Sequence, residues 1–477
     1  MVLDITLFRK EAGGDPDIIR ESQRRRYASV EVVDEIIALD EKWRQMTFEL
    51  DNLRKDKRLK SKEINEKRKA KDKDGEEALK KEVGAISQRI KQLEVDVETT
   101  ANEIKPKLSE IGNIVHESVP VSDDEANNEI VRINGECAAK PDALHHHELL
   151  AMIDGYSPER GVKVAGHRGY FLKGLAARLN MALITYSQDF LMKRGYTLLQ
   201  TPFFMNKPSM AKTAQLTQFD EELYKVIGTR TEGKPGEEVK KTSEEMYLIA
   251  TSEQPISAYH MDEWIQPSDL PLRYGGFSTC FRKEAGAHGK DNWGIFRVHQ
   301  FEKVEQFCIT APEKSWEEHE NMLKASEEFY QSLGLPYRVV TIVSKELNNA
   351  AAKKYDLEGW FPGFQGFREL VSCSNCTDYQ SRSLEIRFGT KQKGEREKKY
   401  VHMLNSTLCA TTRTICCILE NHQTAEGVKV PEALVPYMGG IDFLPFTQPK
   451  PVTVAEGEAA GANKKDKQKQ QKKEENN

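Results

Sequence analysis

Apolar residues in the first hundred positions recur three and four apart. Ile36, Leu39, Trp43, Met46, Leu50 and Leu53 form one run and Leu79, Val83, Ile86, Ile90, Leu93 and Val97 a second, a heptad seam written twice. Between them Lys71-Asp72-Lys73-Asp74-Gly75 is a polar turn signal. The pattern predicts an antiparallel helical hairpin over about residues 28–111, folded at about Gly75 and, at ~1.5 Å per residue, about 50–60 Å long. Pro106 is expected to kink or end the second helix. Toward the tip the seam positions become Lys57 and Lys60, so hydrophobic closure weakens there. From Gly174 to Arg194 the spacing of Leu175, Leu179, Leu183, Ile184, Phe190 and Leu191 predicts an amphipathic helix. Short apolar strands at 197–199, 247–249 and 384–388 come next, separated by long irregular connections rather than regular strand–helix alternation. The fold class is therefore α+β: an antiparallel sheet flanked by helices, with the helical hairpin ahead of it.

Composition refines the boundaries. At 477 residues the chain exceeds one ordinary domain. Residues 1–118 form the hairpin domain, 119–144 read as a Pro/Asp/Asn/Gly-rich linker packed on the larger domain, and 145–445 hold the large core. Residues 228–243, with few apolar side chains, read as a surface insertion, either a flap or a bland loop. The segment 446–477 reads as a Lys-rich disordered tail, either a solubilising end or a nuclear-import or RNA-brushing segment. The net charge of -5 is unremarkable. Its distribution is not: residues 54–73 hold eleven Lys or Arg against four Asp or Glu, which fits a solvated helical tip or a phosphate-backbone contact. Eight cysteines without a secretory leader suit reduced thiols and a cytoplasmic location. Cys373-x-x-Cys376 is half of a zinc site or a redox pair, and nothing at ligand spacing completes it, so no zinc is expected. His145-His146-His147 cannot all face one ion and reads as a loop entering a helix. No run of 18 apolar residues occurs.

The candidate chemistry begins with Phe281-Arg282-Lys283-Glu284, answered roughly 130 residues later by Ala410-Thr411-Thr412-Arg413. An arginine on a strand and another opening a helix can clamp the two ends of ATP, because the guanidinium fork binds two phosphate oxygens and stays charged. Activating a carboxylate needs such fixed cations, since negative charge grows on the α-phosphorus while pyrophosphate leaves. Glu284, two residues after Arg282 on an extended segment, should share its face. No P-loop or dinucleotide fingerprint is present, so ATP must be held by side chains on strands.

In these residues the chain resembles the class II aminoacyl-tRNA synthetases, most closely the seryl-tRNA synthetases of eukaryotic cytoplasm. Gly195 to Pro202 resembles the first class signature, Phe281 to Phe307 the second and Leu404 to Asn421 the third; with their flanks the three span about 195–210, 277–307 and 404–421. Thr251-Ser252-Glu253 and the run Glu369-Leu370-Val371-Ser372-Cys373-Ser374-Asn375-Cys376 stand between them at the family's spacing, and the resemblance covers roughly residues 1–445. It implies the class II fold, ATP and Mg2+ as cofactors, L-serine and tRNA(Ser) as substrates, with tRNA(Sec) where an organism has one, and a homodimer. Thr251, Ser252 and Glu253 match the segment that holds serine, with Glu253 near the ammonium. Glu305 and Asn405 match contacts to the serine side. Arg282 matches the bridge between the serine carboxylate and the α-phosphate. Lys283, Glu284 and the Val298 backbone match the adenosine end. Phe301 matches the ring on which adenine stacks, with Arg413 on its other face. Glu369 matches the magnesium carboxylate, with Leu370, Val371 and Ser372 beside it. The catalytic set is Arg282, Glu369 and Arg413.

A pocket with polar groups placed for a hydroxyl rejects alanine by stranding those groups, whereas threonine's extra methyl is worth only about 1–3 kcal/mol and must be excluded by a wall. No segment between Arg282 and Arg413 is long enough for an editing domain, and too little foldable chain comes after Asn421 for an anticodon-binding one. Recognition of tRNA away from its acceptor end therefore falls to the arm, with Arg54, Lys55, Lys57, Arg58, Lys60 and Lys62 as contacts. Removing residues 54–73 should spare adenylate formation and raise KM for tRNA. Two rivals remain: a paralogue that loads a carrier protein, against which the full basic arm speaks, and a dead scaffold, against which the retention of both Arg282 and Arg413 speaks.

Overall fold

The computed structural model describes residues 3–213, 222–232, 240–284, 293–390 and 398–451. Its N-terminal part holds α1 (Pro16–Arg25), α2 (Glu31–Lys69) and α3 (Lys73–Glu110). α1 starts where Asp15 caps the Asp17 amide and Pro16 supplies the first helical φ. α2 and α3 form the antiparallel arm, closed in mid-length by Leu50, Ile90 and Leu93. The reversal lies at residues 70–72, ahead of the expected Gly75. Lys71 adopts a left-handed φ of 58°, and Asp72 accepts a hydrogen bond from the Gly75 amide at 3.0 Å, so Gly75 belongs to the first turn of α3. α3 also continues four residues past Pro106. Toward the tip the apolar seam gives way to ion pairs, Arg54–Glu94 at 2.8 Å and Lys60–Glu82 at 2.6 Å.

The arm's root is fused to the rest of the molecule. Ile104, Leu108 and Ile111 share one apolar cluster with Ala350, Cys376 and Tyr379. The buried Arg26 donates to the carbonyls of Asn113, Leu347, Asn348 and Ala351.

The larger part is built on β1 (Glu129–Asn134), α4 (His146–Met152), α5 (Gly174–Met192), β2 (Thr197–Gln200), β3 (Phe204–Asn206), β4 (Lys225–Glu232), β5 (Lys240–Leu248), α6 (Glu253–Ser257), β6 (Leu272–Phe281), β7 (Gln300–Thr310), α7 (Ser315–Ser332), β8 (Tyr337–Thr341), β9 (Lys353–Phe361), β10 (Gly366–Asn375), β11 (His402–Ala410) and α8 (Thr411–His422). Eight strands form one sheet in the order β1-β8-β9-β10-β11-β7-β6-β2. Every pairing is antiparallel except β2 with β6. Buried side chains of α5, α7 and α8, among them Leu183, Phe329 and Ile415, pack with the sheet's Leu357, Val371 and Leu408 in one large core.

Three expected boundaries change. The 119–144 linker contributes β1, an edge strand of the main sheet paired with β8. The 228–243 insertion is, in its described residues, a hairpin of β4 and β5 that joins β3 in a second sheet; 233–239 lie outside the described residues. The tail's start is anchored, since Phe446 bonds the Glu426 carbonyl, Gln448 that of Met152, and Lys450 pairs with Glu148 at 3.3 Å. Residues 452–477, the bulk of the expected tail, lie outside the described residues.

The three histidines open α4 as expected. His146 is buried against Glu420 at 2.9 Å, and burial opposes its charge while Cys416 and Glu420 hold the imidazolium up to a pKa of about 10.

Candidate active site

Strand alternation assembles the site. On β7, residues two apart share a face, so Phe301, Lys303 and Glu305 all line one cavity of about 230 Å3. Glu305 stands opposite Gly276 of β6 and Thr407 of β11. A Cβ on Gly276 would lie 2.3 Å from Ile256 Cδ1 and 2.9 Å from Ser252 Oγ. Glycine there lets the start of α6 rest on the sheet, which carries Thr251 and Glu253 over Glu305.

One end of the cavity is a carboxylate-rich, hydrogen-bonded pocket. Glu305 is almost fully buried, and its Oε2 accepts from Thr251 Oγ1 at 2.6 Å, Ser252 Oγ at 3.2 Å and Lys303 Nζ at 2.7 Å. Three donors on one oxygen leave Oε1 as the open acceptor. Lys303 also donates to Thr251 Oγ1 at 2.7 Å. Glu253 Oε1 accepts from Gln380 Nε2 at 2.7 Å and from Asn405 Nδ2 at 3.0 Å. Burial, with the nearby Glu305 adding to it, lifts the Glu253 carboxyl to a pKa of about 7. Such a group is ready to ionise against an incoming cation.

The other end is cationic. Arg282 is fixed by a 3.3 Å bond from Nε to the Ala250 carbonyl, and its guanidinium lies 5.4 Å from the Phe301 ring centre. Arg413, in the first turn of α8, meets the Glu369 carboxylate at 3.2 Å and stands 4.9 Å from the ring of Phe296. Burial pushes the Glu369 carboxyl up, but Arg413, Lys354 and Arg282 together outweigh it and hold it down at about 2. Its side chain remains about half exposed, at 47%. Glu284 lies 3.4 Å from Arg297 and 3.8 Å from Arg168. β6 ends at Phe281, and Glu284 has a φ of 49°. It shares the cavity with Arg282 because the chain turns, not because the strand continues.

Of the residues expected from sequence, Thr251, Glu253, Arg282, Glu284, Val298, Phe301, Glu305, Glu369, Leu370, Ser372, Asn405 and Arg413 all line this cavity. Ser252, Lys283 and Val371 are not among its walls. Ser252 is fully buried behind Glu305, and Val371 points into the core. Arg413 faces Phe296, whereas Phe301 has Arg282 as its cationic neighbour. Lys303, Phe296 and Asn348 line the cavity too and were missed. Lys303 was within reach, lying midway between Phe301 and Glu305 on one face of β7. Asn348 was not, because a loop 43 residues beyond Glu305 carries it to the wall. Among the described residues, no group of three His, Cys, Asp or Glu could hold a metal by itself, and no helix is long and apolar enough to cross a membrane.

The Glu253 carboxyl makes binding of an ammonium pH-dependent. Only its ionised form attracts the cation, so with a pKa of about 7 the fraction able to bind rises about tenfold from pH 6 toward 8 and then levels. We expect the Kd of an ammonium-bearing ligand of the cavity to fall over that window and the dependence to vanish in Glu253→Gln. Titration with such a ligand at each pH checks this; a flat Kd would contradict it.

Among known proteins, the family models cover most of the chain. Residues 231–422 match the model of the class II tRNA synthetase core domain (G, H, P, S and T), and residues 2–115 match the seryl-tRNA synthetase N-terminal domain. The chain is 60% identical over 457 residues to the cytoplasmic serine–tRNA ligase of Schizosaccharomyces pombe, covering 94% of this chain and 98% of that one. To the cytoplasmic enzyme of Bos taurus it is 50% identical over 481 residues, covering 95% and 93%. The solved cytoplasmic serine–tRNA ligase of Naegleria fowleri in complex with AMP superposes with a TM-score of 0.82 at 52% identity, over 94% of this chain and 100% of that one. The seryl-tRNA synthetase of Pyrococcus horikoshii complexed with ATP gives 0.83 at 38%, over the same shares.

Proposed function

The chain belongs to the class II seryl-tRNA synthetases, and from that membership we propose how its cavity turns serine and ATP into a charged tRNA. The protein is a serine–tRNA ligase of the cytoplasm: it activates L-serine with ATP to seryl-adenylate and transfers the seryl group to the 3' end of tRNA(Ser). In the first step a serine carboxylate oxygen forms a bond to the α-phosphorus, and the bond to the β-phosphate oxygen breaks as pyrophosphate leaves. In the second a terminal ribose hydroxyl of the tRNA attacks the seryl carbonyl and AMP departs. tRNA(Sec) would reach the same site where an organism has it.

The observation that carries the assignment of roles is the polarity of the cavity, acidic and hydroxyl-lined at one end and doubly arginine-lined at the other. Glu253 takes the serine ammonium. The open Oε1 of Glu305 accepts the serine hydroxyl hydrogen, with Thr251, Ser252 and Lys303 spending their donors on Oε2 to hold the carboxylate still. Asn405 steadies Glu253. Arg282 bridges the serine carboxylate and the α-phosphate, neutralising both reactants and the charge that develops between them. Phe301 and Phe296 border the adenosine end with Arg413 and Glu284. Lys283 does not line the cavity, and its backbone amide donates to the Glu222 carbonyl at 3.0 Å.

Glu369 and Ser372 fit Mg2+. A carboxylate held ionised and half exposed, with a hydroxyl three residues on in the same strand, is an oxygen donor set suited to a hard cation that keeps much of its water. Bound there, Mg2+ would neutralise the phosphate oxygens of ATP.

Replacing Glu305 by Gln tests the hydroxyl reading. The amide keeps the shape but puts a donor among three donors, so we expect KM for serine to rise about 10- to 100-fold with KM for ATP nearly unchanged. Equal loss for both substrates would contradict the role.

The arm of residues 1–118 supplies the tRNA(Ser) contact. Lys55, Arg58 and Lys62 are exposed on α2 and carry no ion pair among the described residues, whereas Arg54 and Lys60 are engaged by Glu94 and Glu82. Lys55, Arg58 and Lys62 are therefore the phosphate-facing set. Homodimerisation is supported by the half-exposed Phe204 beside Pro202; Met205 is buried locally and contributes little.

A further inference from the structure

One buried carboxylate lies beside the site without lining it. Asp356 stands directly across the β9–β10 ladder from Ser372. Only 7% of the residue is exposed, yet its Oδ1 has no hydrogen-bond partner among the described residues. Its cation, Lys354 two residues earlier on the same face of β9, is 3.8 Å away, too far for a hydrogen bond. Glu358, next on that face, is by contrast engaged by Arg338 at 2.5 Å. A dry carboxylate oxygen without a donor costs stability unless something else supplies one.

The missing donor has an evident source in the Ser372 hydroxyl across the ladder. The groups that orient a metal's ligands are commonly carboxylates one layer out. We propose that Asp356 is a positioning residue for the magnesium–nucleotide: it accepts the Ser372 hydroxyl hydrogen and leaves the hydroxyl's lone pairs for the cation. This rests on the reading of Glu369 and Ser372 as the magnesium site. Asp356 does not line the serine pocket, so its removal weakens the metal and leaves amino-acid recognition intact.

The test uses the full chain with Mn2+ as the probe and a non-hydrolysable ATP analogue present, bound metal being read by electron paramagnetic resonance. Asp356→Asn should weaken Mn2+ binding about tenfold and raise the Mg2+ needed for half-maximal pyrophosphate exchange by a similar factor, while KM for serine holds. Ser372→Ala should lose about as much, and the double variant little more than either alone. Wild-type Mn2+ affinity in Asp356→Asn, or fully additive losses in the double variant, would overturn the inference. Should Asp356→Asn fold poorly, Ser372→Ala still decides: unchanged metal affinity there removes the hydroxyl link on which Asp356 acts. Glu369→Gln separates the two levels, since unchanged Mn2+ binding in that variant would discard the magnesium site itself.

Discussion

Replacing Arg282 by Lys will lower serine-dependent pyrophosphate exchange by about 10³-fold with little change in melting temperature. Among the described residues the Arg282 guanidinium is held by one long bond to the Ala250 carbonyl and by the face of Phe301, so the fold loses little with it. The reaction loses much more. The fork's remaining donors are aimed into the cavity where a carboxylate and an α-phosphate must be brought together against their mutual repulsion. A lysine offers a point charge on a flexible stem and cannot bridge two oxyanions in one plane. Loss of one preorganised donor at a developing oxyanion typically costs about 10²–10³ in rate, and in the role proposed for it Arg282 serves both reactants. Exchange kinetics set beside thermal unfolding separate the two effects. A loss below tenfold would show that Arg413 and the metal suffice.

Shortening the arm will separate the two half-reactions. Residues 55–93 replaced by a short Gly/Ser turn leave Arg54 and Glu94 facing each other and keep the arm's root packed on Ala350, Cys376 and Tyr379. Removing only residues 54–73 would leave Glu82 and Glu76 of α3 without Lys60 and Arg68, their partners on α2. The shortened protein should make seryl-adenylate at the normal rate and lose about 10²–10³ in kcat/KM for tRNA(Ser), chiefly through KM, because Lys55, Arg58 and Lys62 leave with the tip. Charging of purified tRNA and exchange are the paired readouts. Equal loss in both would mean that the arm acts on the cavity through its root, along Arg26 and the Asn348 loop, rather than on the tRNA.

The arm was legible because its seam repeats over nearly twenty residues on each helix. Its turn was misplaced because Gly75 reads as a hinge when it is in fact the amide that Asp72 caps. β1 escaped notice for a physical reason: all six of its residues are exposed, so no alternation of burial marks them. The β4–β5 hairpin hid behind the polar composition of residues 228–243. Within the site, residues carried over as contiguous runs came out only half right. Val371 packs into the core while Glu369 and Ser372 reach the cavity wall, a spacing that the register shift of β10 against β9 allows, and the start of α6 tucks Ser252 behind Glu305. Of the residues missed, Asn348 reaches the cavity from another element and Asp356 lies one layer behind it. Lys303 shares a strand face with Glu305, whereas Asp356 matters only through the register of β9 against β10, which one strand's sequence does not reveal.

If the cavity recognises serine by its hydroxyl and activates it for tRNA, the amino acid that drives adenylation must be serine and its label must end on tRNA. ATP–pyrophosphate exchange with each of the twenty amino acids, and then charging of total tRNA with whichever is active, reads both steps. Exchange driven by serine alone, with the label then appearing on tRNA(Ser), is the predicted result. Exchange driven equally by alanine or threonine, or serine activation without any charging of tRNA, would contradict it.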